Sequence, residues 1–218
     1  MDSGNPVDVV IAGGGVAALE AALALRELAP DLVRVELLAP EPLFWYRPLA
    51  VAEPFRLGDI RHFDLSRLAI ELGATFSPGE LVSVDASRRV AHTAAGGSVP
   101  YSMLLLACGA VPVAVVEGAL TFRGPADTAR LERVLAELEA GEITRVAYAV
   151  PAGAAWSLPA YELALLTAAW VDAHGLDGVE ITLVTPERAP LDLLGREASQ
   201  SVRALLAERD VVLRTCAA

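Results

Sequence analysis

A short, mostly apolar run, Val7 to Ala12, goes straight into Gly13-Gly14-Gly15. Alanine- and leucine-rich residues follow from Val16 to Ala29, broken only by Glu20, Arg26 and Glu27. The run suits a strand buried on both faces, and the segment after it suits a helix packed on a sheet and stopped before Pro30. Val33, Val35 and Leu37 then alternate along a second strand that closes at Ala39-Pro40. Strand, helix and strand with short connections imply a right-handed parallel crossover. Gly13 to Ala18 fits the pattern G-x-G-x-x-A. In that pattern the first glycine permits the tight turn, the second lets a pyrophosphate approach the backbone, and the small third residue keeps helix and strand close. The start of a helix adds unpaired N–H groups and a partial positive charge. The turn therefore predicts a dinucleotide site, with a purely structural glycine turn as the alternative.

Composition narrows the rest. Hydrophobic residues make up 54% of the 218 residues and charged residues 21%, enough for a packed core. A net charge of −11 argues against gripping nucleic acid, which needs a basic footprint. One dinucleotide is still compatible with it, because backbone N–H groups hold the phosphates. All seventeen basic residues are arginine. Without lysine there is no Schiff base and no Walker-type phosphate loop. Cys108 and Cys216 are far apart, and His62, His92 and His174 are scattered, so neither a disulfide scaffold nor a metal site is expected. Met1-Asp2-Ser3-Gly4 lacks the basic region of a signal peptide. The apolar stretch Met103 to Val116 is too short for a transmembrane segment and carries Gly109 and Pro112. A cytoplasmic protein is the expectation.

Beyond the first unit, Phe44-Trp45-Tyr46-Arg47-Pro48 reads as an aromatic loop and Asp64 to Leu72 as a helix. Leu81 to Ala86 and Arg88 to Thr93 read as neighbouring strands before a turn at Gly96-Gly97, and Met103 to Ala107 as another strand. A second alternation follows. Asp127 to Glu139 is an amphipathic helix with Leu131, Val134, Leu135 and Leu138 on one face. Val146 to Val150 is a strand, Pro159 to Ala173 a helix, Val179 to Val184 a strand, Glu197 to Glu208 a helix and Val211 to Leu213 a strand. The expected class is α/β: a Rossmann-like three-layer unit over residues 1–115, then a second, incomplete Rossmann-like unit over 116–218. Stopping after a strand suggests a truncated or partial chain. An unfinished sheet exposes apolar edges, so self-association, with a homodimer as a candidate, is expected.

Two further segments carry a family resemblance. Leu37 to Leu49 (L-L-A-P-E-P-L-F-W-Y-R-P-L) and Tyr101 to Ala110 (Y-S-M-L-L-L-A-C-G-A), with the glycine turn, resemble the FAD-dependent pyridine nucleotide-disulfide oxidoreductase superfamily. The likeness is to its type II NADH dehydrogenase and sulfide:quinone reductase branch. It implies FAD held by Gly13, Gly14, Gly15, Val16, Ala17, Ala18, Ala39, Pro40, Glu41, Arg47, Pro48, Val82, Ala107, Cys108 and Gly109. It implies a small-molecule substrate or quinone as partner.

Three departures from the family pattern stand out. The family places an acid on the adenosine ribose at the end of the second strand; here Ala39 stands there, with Glu41 two residues on as a substitute. A hydrogen bond from such an acid is worth about 1.5–3 kcal/mol, or roughly tenfold or more in binding. The second unit, assigned to NAD(P)H in the family, carries Pro151 to Pro159 (P-A-G-A-A-W-S-L-P) instead of a second glycine fingerprint. This reads as loss of that site, and the redox cysteines of the sulfide:quinone branch are absent from it. The family also returns to its flavin domain beyond a point equivalent to residue 218. No residue reads as a convincing acid, base or nucleophile. Cys108 is expected as a small buried replacement for threonine rather than a thiol close to the flavin, and Trp156 and Tyr161 as core packing rather than the lining of a former nicotinamide pocket. Trp45 and Tyr46 suit flavin stacking and simple packing equally, as Arg47 suits charge compensation and a solvated surface. A catalytically silent dinucleotide-binding or interaction domain is the alternative to a flavoenzyme. An NAD(P)-dependent oxidoreductase using the first turn is a third, with Arg34 or Arg47 meeting a 2′-phosphate.

Overall fold

The computed structural model describes residues 6–58, 60–154 and 156–217. The sequence expectations at Met1 to Gly4, Ala155 and Ala218 lie outside the described residues. The chain divides into two compact units, one formed by Met1–Tyr46 and Arg61–Val111, the other by Arg47–Ile60 and Pro112–Ala218.

In the first unit β1 (Val7–Ala12) leads through α1 (Val16–Leu28) to β2 (Val33–Ala39). A ribbon of β3 (Leu43–Trp45) and β4 (His62–Asp64) pairs antiparallel, and α2 (Leu65–Glu71) and β5 (Thr75–Pro78) follow. An antiparallel meander of β6 (Leu81–Asp85), β7 (Val90–Thr93) and β8 (Ser98–Pro100) precedes β9 (Met103–Leu106). The main sheet is parallel, in the order β5-β2-β1-β9. The strand order reverses at β1, which has β2 on one side and β9 on the other; in open α/β sheets, ligands bind at that switch point. Alternation explains how β1 is buried on both faces. Val9 and Ile11 pack with Ala18 and Ala22 of α1 and with Val35 and Leu37 of β2. Val10 and Ala12, on the opposite face, are also buried. Asp64 caps α2 by accepting the Arg67 N–H at 2.9 Å, which is why that helix starts one residue later than its sequence pattern suggested.

The second unit begins with a 3₁₀ stretch, Arg47–Phe55, and continues with α3 (Thr128–Glu139), β10 (Arg145–Ala149), α4 (Leu158–His174), β11 (Glu180–Val184), α5 (Arg196–Glu208) and β12 (Val211–Arg214). Its three strands are parallel, in the order β10-β11-β12. α4 ends at Gly175, whose left-handed φ of 62° lets its N–H turn back to Val171 and Asp172. Leu131, Leu135 and Leu138 of α3 bury against Val51 and Phe55 of the 3₁₀ stretch and Leu163 of α4.

Two sequence expectations are corrected. The aromatic loop is a short strand, Leu43–Trp45, paired with His62–Asp64, followed by the 3₁₀ stretch. A single cut after residue 115 also fails to describe the packing, because Arg47–Ile60 belongs with the second unit. The reason is physical. Glu53 accepts the Thr128 hydroxyl at 2.9 Å and the Ile60 N–H at 3.1 Å, fastening this stretch to the start of α3. Beside it, fully buried Asp127 accepts three bonds from Arg123 at 2.8–3.0 Å and one from Arg130 at 3.3 Å. The Arg123 guanidinium outweighs burial and holds the Asp127 carboxyl down at about 2.

Candidate functional site

The glycine turn sits at the C-terminal end of β1, at the switch point. The Gly13 N–H donates to the Leu38 carbonyl at 2.8 Å, and the Ala107 N–H donates to that of Ala12 at 2.8 Å, so the ends of β1, β2 and β9 are drawn together. Gly13 has φ +141°, and a Cβ added there would stand 2.1 Å from the Ala107 carbonyl oxygen. Only glycine lets the chain turn this close to β9. A Cβ on Gly14 would meet Leu65 Cδ1 at 2.6 Å and Ala39 Cβ at 3.1 Å. Gly15 differs: nothing lies within 4 Å of its added Cβ. It is the N-cap of α1, with no side-chain cap bond and no acid in the first helical turn. Val16 and Ala17 are exposed, whereas Ala18 is fully buried beneath the turn. The first N–H groups of a helix have no intrahelical acceptor, so α1 presents donors and a positive dipole end to open space above Gly15. The residues present fit a pyrophosphate at this turn.

The ribose end fits less well. Ala39 is 2% exposed, with its methyl packed under Gly14, and Pro40 and Glu41 beyond it are exposed. Leu65, 1% exposed, fills the space beside Gly14; sequence reasoning did not single it out, and only its place at the start of α2 hinted at it. On the other side of the turn Cys108 is exposed, not buried as expected. Its thiol reaches the Ala12 carbonyl at 3.5 Å, and Gly109 follows with φ 71°. Cys108 follows β9, which lies at one end of the strand order and pairs only with β1 among the described strands. Val82 is exposed on β6 of the meander. Arg47 and Pro48 are exposed at the start of the 3₁₀ stretch and so belong to the second unit, unlike the other thirteen candidates. Trp45 stacks obliquely on His62 with ring centroids 5.2 Å apart, and Tyr46 is exposed.

In the second unit Tyr161 is buried in the core, as expected, but Trp156 is 55% exposed and does not pack there. The connection from β10 to α4 carries Gly153 alone among its described residues, with φ 82°.

Residues 7–218 match the model of the pyridine nucleotide-disulphide oxidoreductase family. The chain belongs to that family. Among individual members, the sulfide-quinone reductase of Aquifex aeolicus is 30% identical over 189 residues, 82% of this chain and 43% of that protein. The solved sulfide:quinone oxidoreductase of the same organism superposes with a TM-score of 0.81 at 25% identity, over 96% of this chain and 51% of that one. NDH2 from Plasmodium falciparum, solved with NADH, shares the fold with a TM-score of 0.72 at 14% identity, over 96% of this chain and 48% of that one. The chain thus spans about half the length of these proteins. Among the described residues of this family member, no helix is long and apolar enough to cross a membrane.

Proposed function

We propose that this chain is the FAD-holding part of an oxidoreductase that passes electrons between a small donor and a quinone or similar acceptor. One observation carries it: the unobstructed approach to Gly15 at the N-terminus of α1, beside a turn that only glycine can make at Gly13. The quinone acceptor is taken from the names of the Aquifex aeolicus relatives. When bound, FAD supplies the redox chemistry. The protein's part is to bind and orient it. Backbone N–H groups of Val16 and Ala17 would hold the pyrophosphate, Glu41 would take the adenosine ribose in place of an acid at Ala39, and Ala107 to Gly109 would line the flavin side.

The test is a visible absorbance spectrum of the purified chain after addition of excess FAD and desalting. A retained, protein-perturbed flavin spectrum is the expected result, and a colourless protein would overturn the proposal. The second reading, a silent interaction domain that has lost the dinucleotide, is favoured by the buried methyl of Ala39 where the family carries an acid, and it predicts the colourless outcome.

Self-association through β9 is part of the same proposal. Met103 and Leu106 are 60% and 65% exposed on this sheet edge, an arrangement that favours strand pairing between chains. Sedimentation velocity is expected to show a dimer growing with concentration; a monomer throughout would refute it.

A further inference from the structure

A nicotinamide dinucleotide asks three things of a unit shaped like the second one. It needs glycines that admit the pyrophosphate, a helix N-terminus facing it, and an acid after the next strand with oxygens free for the ribose. Here the β10–α4 connection has an open approach at its one described glycine, Gly153, but the acid and the helix start are built differently. Ser157, just before α4 and 5% exposed, donates its hydroxyl to Glu187 Oε1 at 2.8 Å. Thr185, the first residue after β11 and fully buried, donates to Oε2 at 2.9 Å. Tyr161, in the first turn of α4 and 1% exposed, donates to the same oxygen. The Glu187 N–H returns to Thr185 Oγ1 at 3.3 Å, and its carbonyl accepts the Cys216 N–H at 3.0 Å. A carboxylate offers about four acceptor positions, and three are occupied from within the unit. Burial opposes the charge on Glu187, yet the donated hydrogen bonds outweigh it and hold the carboxyl below its usual value.

We infer that Glu187, gripped by Ser157, Tyr161 and Thr185, pins the β10–α4 connection to the end of β11 and shuts this edge against a nicotinamide dinucleotide. The acid after β11, where a nicotinamide unit would carry its ribose acid, is consumed as an internal fastener, and Ser157 at the start of α4 is tied to it. If the flavin reading above holds, reducing equivalents reach FAD from a donor that is not a nucleotide.

Amide hydrogen exchange read by mass spectrometry tests the inference locally, with or without FAD, so it is separable from the flavin reading. Adding about 1 mM NADH, the weak end of biological affinity, is expected to leave peptides covering 150–157 and 185–187 unprotected. Protection there overturns the inference, whereas protection confined to 12–20 reports on the first turn and leaves the second edge closed. The pin itself is tested by Glu187→Gln and, as the milder change, Ser157→Ala. Exchange at 150–157 should rise about tenfold as one charged hydrogen bond is lost. Unchanged exchange in Ser157→Ala would sink the pin.

Discussion

Gly13→Ala is expected to destabilise the first unit by about 4 kcal/mol and abolish FAD retention, while Gly15→Ala leaves the fold intact and weakens FAD alone. Two costs add at Gly13. Its φ of +141° strains any L side chain, worth about 1–3 kcal/mol. Its new methyl would stand 2.1 Å from the Ala107 carbonyl oxygen, and a backbone atom one residue past β9, held by the Ala107 N–H on the Ala12 carbonyl, cannot swing aside as a flexible side chain can. Overpacking of that kind costs about 1–3 kcal/mol more. Relief requires β9 to move away from β1, which opens the end of the sheet where the cofactor is proposed to sit.

At Gly15 neither cost applies. Its φ is −91°, and nothing lies within 4 Å of an added Cβ. Stability should fall by no more than about 1 kcal/mol, the scale of an N-cap change. The space a methyl would take is the approach proposed for the pyrophosphate, so FAD affinity should drop about tenfold or more. Denaturant titration and flavin absorbance on both variants separate the two effects. Parent-like stability in Gly13→Ala, or parent-like FAD affinity in Gly15→Ala, would show that the turn constrains neither the fold nor the cofactor in this way.

What the sequence made legible follows the range of the interactions involved. Strand β1 and helix α1 declare themselves through local periodicity and a glycine turn, and the structure places them within a residue of the expectation. The alternation of α4, β11, α5 and β12 was readable for the same reason, since each element buries one regular face. Strand β5, Thr75–Pro78, gave no such signal: it has four residues and ends in proline, and it joins the sheet only because β2 offers it an edge. The 3₁₀ stretch Arg47–Phe55 was hidden by distance. Its anchor, Glu53, finds Thr128 seventy-five residues away, and no local pattern encodes that bond. Cys108 was misjudged because an apolar strand suggests burial, while β9 lies on an edge where Met103 and Leu106 are exposed as well. Glu187 was missed because its partners Ser157 and Tyr161 lie thirty and twenty-six residues back. A Thr-Pro-Glu sequence directly after a strand was the sole local hint, with the threonine two residues before the acid it bonds.

Those partners make Glu187→Ala the second large effect, with an expected loss of about 3 kcal/mol or more in the second unit. The reason lies in what remains after truncation, not in the carboxylate itself. Ser157, Thr185 and Tyr161 are all at most 5% exposed, and each would be left with a hydroxyl lacking its acceptor. A buried donor without a partner costs about 1–3 kcal/mol. Tyr161→Phe removes one donor and leaves the acceptor with two, so about 1 kcal/mol is expected there. The pH dependence carries the signature of the network. Glu187 titrates below its ordinary 4.5, so its contribution is full above that value and is lost as pH falls through the lowered one. Tyr161 is pushed by burial, and then by its bond to Glu187, from 10 up to about 12. Its contribution is full below 10 and is lost as pH rises through about 12. Asp127 is common to parent and variant, so its own acid titration cancels in the difference. The stability difference between parent and Glu187→Ala, measured by denaturant titration, should therefore be flat from roughly pH 5 to 10 and shrink at both ends. A difference that is small, or that varies across neutral pH, would mean the three hydroxyls find other acceptors and that Glu187 fastens nothing.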